Sequence, residues 1–196
     1  MSQARSMAQS DAPPSRPQPL YHPHIRVIRE ADDVARVTTL LHRAYGAQVA
    51  RGMKPLAGRQ DVDVTRRRCA SGVCLLAFEG LPDFAPPADP ERLAGTILLQ
   101  EKEPNEMPGL FGEPDVAHFS QFAVDPEFQG HGVGEALLRA AEGFAIGRGF
   151  KRLALSMAEP DVDLRRYYER RGYWLHGTWQ WPYTNYRSLL LCKMLT

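Results

Sequence analysis

The chain has 196 residues, which is enough for one domain with a sizeable core and too few for two full domains. Its 24 Lys and Arg residues against 23 Asp and Glu leave a net charge of +1, so bulk charge gives no reason to expect nucleic acid or a membrane as a partner. Cys69, Cys74 and Cys192 lack C-x-x-C spacing, which argues against a disulfide framework and against a zinc site. No membrane span or signal-peptide core is visible, so we expect a reduced, cytoplasmic protein without a metal.

Proline collects in three places along the chain. Residues 1–23 contain five prolines and almost no large aliphatic side chains. Such a segment cannot bury enough surface to offset its ordering entropy, so we predict a disordered tail followed by one domain over residues 24–196. The proline clusters at 81–92 and 101–115 predict two long loops inside that domain.

The first half of the domain predicts a strand, two helices and a strand pair. Residues 24–30 suit a strand, and the apolar residues of 31–45 recur at helical spacing. Residues 61–72 suit a short polar helix that Gly72 closes. Residues 73–79 and 93–100 are β-rich, and the loop between them is long enough for an antiparallel pair.

The second half begins with a strand over 118–124, a glycine-rich turn and the clearest helix of the chain. This helix places a run of apolar residues on one face, namely Val133, Ala136, Leu137, Ala140, Ala141, Phe144 and Ala145. We expect it to end at Gly147 or Gly149. A strand over 151–157, a helix over 162–172 and two strands within 173–181 and 185–195 complete an α/β order with a mixed sheet.

The sequence "QGHGVG" at 129–134 has glycines at positions 130, 132 and 134. A helix N-terminus carries unpaired N–H groups and about half a positive charge, so it binds phosphate where side chains do not obstruct it. The spacing fits neither the dinucleotide fingerprint nor the P-loop, because no Lys-Ser or Lys-Thr pair follows the last glycine. The loop is therefore either a phosphate site of another kind or a glycine turn that merely starts a helix.

The surrounding stretch resembles the acetyl-CoA signature of the GCN5-related N-acetyltransferases (GNAT), with Gln129, Gly132 and Gly134 at the signature positions. "YYERRGYW" at 167–174 resembles a later element of that family through Tyr168, Gly172 and Tyr173. The resemblance extends over residues 24–196. It implies an α/β (α+β) fold with a mixed, mostly antiparallel sheet of about six to seven strands, about four flanking helices and a splay at the acetyl-CoA site.

The resemblance also implies a set of residues for acetyl-CoA, which would serve as co-substrate. Backbone N–H groups of the loop would hold its pyrophosphate, from residues Gln129, Gly130, His131, Gly132, Val133 and Gly134. The pantetheine arm would pair beside Phe122, Ala123 and Val124, where a main-chain N–H stabilises the oxyanion by about 3 kcal/mol. Asp161 replaces the asparagine that the family often carries seven residues before the tyrosine, and it can accept from the cofactor's amide N–H.

Acetyl transfer to an amine requires two proton transfers. An alkylamine has a pKa near ~10.4 and must lose a proton before it attacks. His118, at the start of the central strand, is the candidate base; Glu101 or Glu103 acting through water, or a chain of waters, are the alternatives. Tyr168 is the candidate acid for the departing thiolate, either with a modestly lowered pKa or through a hydrogen bond without full transfer. Tyr167 suits a core position better.

The acceptor is less defined by the sequence. An amine of a small molecule or of a peptide is expected, without nucleic acid or membrane, and a homodimer is compatible with the sequence. An acidic rim at 101–115 would favour a cationic amine, although a solvated loop explains the same charges. Four aromatic residues either line the acceptor pocket or pack the sheet: Trp179, Trp181, Tyr183 and Tyr186. The arginines at 66–68 meet phosphates or nucleic acid, or form a solvated face. A non-catalytic acyl-CoA sensor is the alternative function.

Overall fold

The computed structural model describes residues 22–80, 92–101 and 108–196. Within them, seven strands form one open sheet in the order β1-β2-β3-β4-β5-β7-β6. Every neighbouring pair is antiparallel except β4–β5, which is parallel. The predicted mixed, mostly antiparallel sheet is therefore confirmed. The predicted tail up to residue 21, most of the first proline loop and Glu103 lie outside the described residues.

The elements follow the predicted order along the chain. The strands are β1 (His24–Val27), β2 (Val73–Phe78), β3 (Leu93–Gln100), β4 (Val116–Val124), β5 (Arg152–Ala158), β6 (Trp174–Trp179) and β7 (Ser188–Met194). The α-helices are α1 (Val34–Ala50), α2 (Val62–Ala70), α3 (Val133–Gly147) and α4 (Val162–Glu169). Short 3₁₀ turns lie at Leu56–Gly58, Gly109–Gly112 and Pro126–Phe128.

Helix α1 runs past its predicted end at Tyr45 to Ala50. Its first turn is capped by the Asp33 side chain, which accepts from the Ala35 N–H. The helix continues through Gly46, although an interior glycine costs about 1 kcal/mol relative to alanine. Burial of Val37 and Leu41 against the sheet offsets that cost, which sequence propensity alone does not reveal.

The helices cover the two faces of the sheet. Residues of α1 and α2 form a core with Cys74, Leu76 and Leu98 on one face. Residues of α3 and α4 form the larger core on the other face. The buried stripe of α3 is centred on Ala141, so Leu138 is buried, whereas Phe144 of the last turn is 39% exposed. The predicted apolar face was therefore wrong at Phe144.

Helix α3 approaches β3 closely at Gly95. A Cβ on Gly95 would lie 2.8 Å from Leu137 Cδ1 and 2.9 Å from the carbonyl oxygen of Ala123. We expect Gly95→Ala to destabilise the protein by about 1–3 kcal/mol, because overpacking shifts backbone. Exposed Gly143 of α3 has no neighbour within 4 Å of such a Cβ, so Gly143→Ala should instead stabilise by about 0.5–1 kcal/mol. Urea unfolding measures the change in the free energy of unfolding of each variant. Changes of the same sign in the two variants would contradict this packing.

Strands β4 and β5 separate part-way along their length. Their pairing runs from Val116 opposite Arg152 to Phe119 opposite Leu155, and it ends there. A β-bulge follows in β4, where Gln121 has φ of 48°, the only positive value at a non-glycine among the described residues. The remainder of β4 diverges from β5, and this gap is the predicted splay of the sheet.

Candidate active site

A cavity of about 1140 Å³ occupies the gap between β4 and β5. Ten of the twelve predicted site residues line it: His118, Phe122, Ala123, Val124, Gln129, Gly130, Gly132, Gly134, Asp161 and Tyr168. The other two, His131 and Val133, are not among its lining residues. Val133 is the first residue of α3, and its side chain is buried in the core at 1% exposure.

The start of α3 differs from the starts of the other helices. Aspartate side chains cap α1, α2 and α4, each accepting a backbone N–H of the first turn. Gly132 stands at that position in α3, with φ of 84° and no side-chain hydrogen bond. The first turn of α3 thus lacks the internal anionic cap that the other three helices have.

Two glycines keep the approach to this turn open. Gly130 and Gly132 have φ of 80° and 84°, and a Cβ at either position would meet nothing within 4 Å. Gly134 serves a different purpose, because a Cβ there would lie 3.3–3.4 Å from Phe122, Val124 and Tyr167. The loop therefore presents backbone towards the cavity and packs closely underneath, as an anion site at a helix N-terminus requires.

Tyr168 of α4 reaches the cavity from the face that carries α3. Its side chain is 3% exposed and packs among Phe119, Phe122 and Tyr173. Burial, reinforced by neighbouring tyrosines and Asp161, raises its pKa well above the usual value. The phenol is therefore protonated at neutral pH and acts as a donor. This direction is opposite to the modestly lowered pKa that the sequence analysis allowed, and it favours the alternative, a hydrogen bond to the thiolate without full proton transfer.

His118 reaches the cavity from the opposite face of the sheet. It lies opposite Gln100 in the β3–β4 register and stacks on Phe111 with ring centroids 4.3 Å apart. Its side chain is buried, at 2% exposure. Glu101, the predicted substitute, forms an ion pair with Arg148 and is not among the cavity's lining residues.

Asp161 connects α1 with α4 beside the cavity. One of its oxygens accepts from Gln48 Nε2 at 2.8 Å and from Arg51 Nη2 at 3.0 Å. The other accepts from the Leu164 N–H at 3.4 Å and caps α4. Three donors thus already occupy this carboxylate, and its contact with a cofactor amide stays a prediction.

The segment between β6 and β7 forms the wall near His118. Trp181, Tyr183 and Tyr186 line the cavity, and Trp181 Nε1 donates to Ser156 Oγ at 2.8 Å. Trp179 is not among the lining residues, and both Trp179 and Trp181 pack against the cluster around Phe111. Burial raises the pKa of Tyr186 to about 12. Trp181, Tyr183 and Tyr186 therefore fit the first alternative, a lining of the pocket, and Trp179 fits the second, packing on the sheet.

Sequence reasoning missed the contribution of α1 and of the bulge. Tyr45 lines the cavity, and its hydroxyl donates to the Phe122 carbonyl at 3.2 Å. Gln121 Oε1 accepts from Gln60 Nε2 at 2.6 Å in a buried polar network. Helical spacing placed Tyr45 on the apolar face of α1, and nothing local indicates that this face meets β4.

The acetyltransferase (GNAT) family model matches residues 49–173 of the chain. The chain belongs to the GNAT acetyltransferase family. Members of this family are acyltransferases that use acetyl-CoA. No curated protein sequence matches the chain.

Solved structures of several acetyltransferases share the fold of this GNAT protein. IAA acetyltransferase from Bacillus cereus is 18% identical with a TM-score of 0.57, and the match covers 89% of this chain and 100% of that one. The Escherichia coli ribosomal-protein-S18-alanine N-acetyltransferase is 14% identical with a TM-score of 0.62, over 89% and 95%. A GNAT acetyltransferase from Elizabethkingia anophelis, solved with acetyl-CoA bound, is 15% identical with a TM-score of 0.59, over 88% and 98%.

The described residues also bear on metals and membranes. Among them, no group of three or more His, Cys, Asp or Glu side chains gathers in a way that could hold a metal ion. No helix in these same ranges has both the length and the apolar character to cross a membrane. Cys69, Cys74 and Cys192 are free and buried.

Proposed function

We propose that this GNAT protein is an acetyl-CoA-dependent N-acetyltransferase that transfers the acetyl group directly to a primary amine of a small molecule or peptide. The observation that carries the proposal is the uncapped start of α3 beside the gap between β4 and β5. A helix N-terminus attracts phosphate, and a strand edge pairs with amides. Pyrophosphate and pantetheine of acetyl-CoA combine these two requirements.

The residues of the cavity suit both the pyrophosphate and the pantetheine of acetyl-CoA. The loop from Gln129 to Gly134 offers backbone N–H groups with no Cβ at three of its positions. The edge of β4 at Phe122–Val124 faces the cavity where β5 has diverged. The Elizabethkingia anophelis protein of the same fold holds acetyl-CoA, which supports the assignment.

Bound acetyl-CoA supplies a thioester whose carbonyl carbon an amine can attack. Backbone N–H groups near Val124 are assigned to the developing oxyanion, where each donor contributes about 3 kcal/mol. As the C–N bond forms, His118 takes the amine proton; as the C–S bond breaks, Tyr168 donates a hydrogen bond to the thiolate. The two side chains lie on opposite faces of the sheet and both line the cavity, so the acceptor and leaving group separate in opposite directions.

No covalent acetyl-enzyme is needed in this scheme. The cysteines are buried at 5%, 0% and 0% exposure, and none is among the lining residues of the cavity. Thiol release from acetyl-CoA, measured with amino acids, polyamines, aminoglycosides and peptides, tests the proposal. We expect release above background hydrolysis with at least one amine. Tight acetyl-CoA binding without release on any of them would instead support the sensor function.

We expect His118→Gln to lower kcat/KM about tenfold at neutral pH and to remove the acidic limb of the pH–rate profile. The amide keeps a similar volume beside Phe111 but does not take up a proton, and water replaces the base only in part. The exposed His176 of β6 provides the control, since His176→Gln should leave the profile unchanged. A His118→Gln profile that keeps its acidic limb would exclude this histidine as the base.

A further inference from the structure

We infer that the acceptor amine also carries a carboxylate, which Arg67 and Arg68 of α2 bind. The acceptor is thus an amino-acid-like molecule, and polyamines or other purely cationic amines are excluded. This inference rests on the proposed function and adds the class of acceptor to it.

The two arginines lie at the acceptor end of the cavity. Arg67, Arg68 and Ser71 all line it. Ser71 Oγ accepts from Gln100 Nε2 at 3.1 Å, and Gln100 is the cross-strand neighbour of His118. Cross-strand neighbours point to the same face of a sheet, so α2 and the candidate base share one face. Gly132 and Tyr168 belong to the elements of the other face. The arginines therefore do not belong to the phosphate loop.

The charge of the cavity is divided between these two ends. Its described acidic lining residues are Glu135, Asp161 and Asp163, which belong to α3 and to the start of α4. Each of the three has an arginine partner in Arg171, Arg51 and Arg166 respectively. Across the described residues, the wall formed by α2 contributes two arginines and no acid.

The described acidic residues of the predicted rim do not alter this division. Glu113 and Asp115 both pair with Arg152, and neither is among the cavity's lining residues. The described part of that loop contributes Phe111, an aromatic ring, to the cavity. A cationic chain therefore finds arginines at this end, and an anionic group finds complementary charge.

Arg68 is held in a fixed orientation. Its Nη1 donates to Gln60 Oε1 at 2.7 Å, and Gln60 Nε2 donates to Gln121 Oε1 at 2.6 Å and to Thr65 Oγ1 at 2.9 Å. Gln60, Thr65 and Gln121 are all buried, so this hydrogen-bonded network orients the guanidinium of Arg68. A planar guanidinium held in this way suits a carboxylate, which it meets with two parallel hydrogen bonds.

Arg67 supplies the second positive charge. It is exposed, lines the cavity and forms no ion pair within the described part of the chain. Its substitution therefore removes charge without breaking an internal contact, which makes Arg67→Gln the suitable variant. Arg66 of the same helix pairs with Asp63 and is not a lining residue, so Arg66→Gln is the matched control.

The experiment compares the common amino acids with their carboxamides and with their decarboxylated amines, by thiol release and by calorimetry on the CoA-saturated protein. We expect the best carboxylated acceptor to exceed its amide in kcat/KM by about tenfold or more, since two charged hydrogen bonds are lost. Arg67→Gln should raise the KM of the carboxylated acceptor about tenfold and leave its kcat within about twofold of wild type. The same variant should leave the KM of the amide unchanged, and Arg66→Gln should leave the KM of the carboxylated acceptor unchanged.

Amides or decarboxylated amines that react or bind as well as the carboxylates would overturn the inference, as would carboxylates that fail to bind the CoA-saturated protein. Such a result with measurable turnover leaves the proposed function standing. Absence of acetyl-CoA binding would instead overturn the proposed function, and with it the acceptor class.

Discussion

Gly132→Glu should weaken acetyl-CoA binding by at least about a hundredfold, equivalent to about 2.7 kcal/mol. Gly132 begins α3 with φ of 84°, and a side chain there enters open space in front of the first turn. A glutamate places a negative charge where the proposed pyrophosphate lies, and it supplies the anionic partner that the helix otherwise lacks. Isothermal titration calorimetry of wild type and variant against acetyl-CoA measures the loss.

Gly149 provides a control for the cost of the backbone conformation. It also has φ of 84° with no neighbour within 4 Å of a Cβ, but it follows the C-terminus of α3 and does not line the cavity. Gly149→Glu should therefore lose a similar amount of stability and retain wild-type acetyl-CoA affinity. Undiminished binding by Gly132→Glu would show that the phosphates lie elsewhere.

Tyr168→Phe should lower kcat by about a hundredfold and leave the Kd for acetyl-CoA within about twofold of wild type. The phenyl ring keeps the packing against Phe119 and Phe122, so the loss concerns the hydroxyl alone. Because the raised pKa keeps the phenol protonated, wild-type activity should not require its ionisation in the neutral range. Single-turnover and steady-state rates separate the chemical step from product release.

Tyr173→Phe is the matched control for the loss of a buried hydroxyl. Tyr173 packs in the same cluster, its hydroxyl donates to Glu142 at 3.3 Å, and it is not among the cavity's lining residues. We expect its kcat to remain near wild type even if stability falls. Equal kcat of Tyr168→Phe and wild type would exclude Tyr168 as the group that donates a hydrogen bond to the leaving thiolate.

Local signals in the sequence predicted the glycine-rich turn, the helix that follows it and most other elements correctly. The apolar repeat of α3 and the glycines before it lie within one short stretch, where hydrophobic period and backbone conformation are set by neighbours in sequence. The positions of Gly132 and Tyr168 in one cavity also followed, because both belong to motifs whose order along the chain matches the family.

The part of the cavity lined by α1, α2 and the bulge of β4 was not predictable in the same way. Tyr45 meets Phe122, and Gln60 meets Gln121, across long stretches of chain, and neither contact leaves a local pattern. The arginines of α2 have the spacing of a solvated helix face, and Arg66 and Arg67 are both exposed. The spacing does not reveal that Arg67 also lines the cavity. Which face of a short polar helix meets a cavity depends on how the sheet diverges, and the bulge at Gln121 is a tertiary feature.

Transfer of a carbonyl-labelled acetyl group tests the proposed reaction most directly. The protein is incubated with ¹³C-acetyl-CoA and the panel of amino acids, and the label is followed by NMR together with the intact mass of the protein. We expect the label to appear in the amide of an N-acetylated amino acid while the mass of the protein stays unchanged. Label that remains in acetyl-CoA with every amine, or that transfers to the protein, would contradict direct acetyl transfer in this cavity.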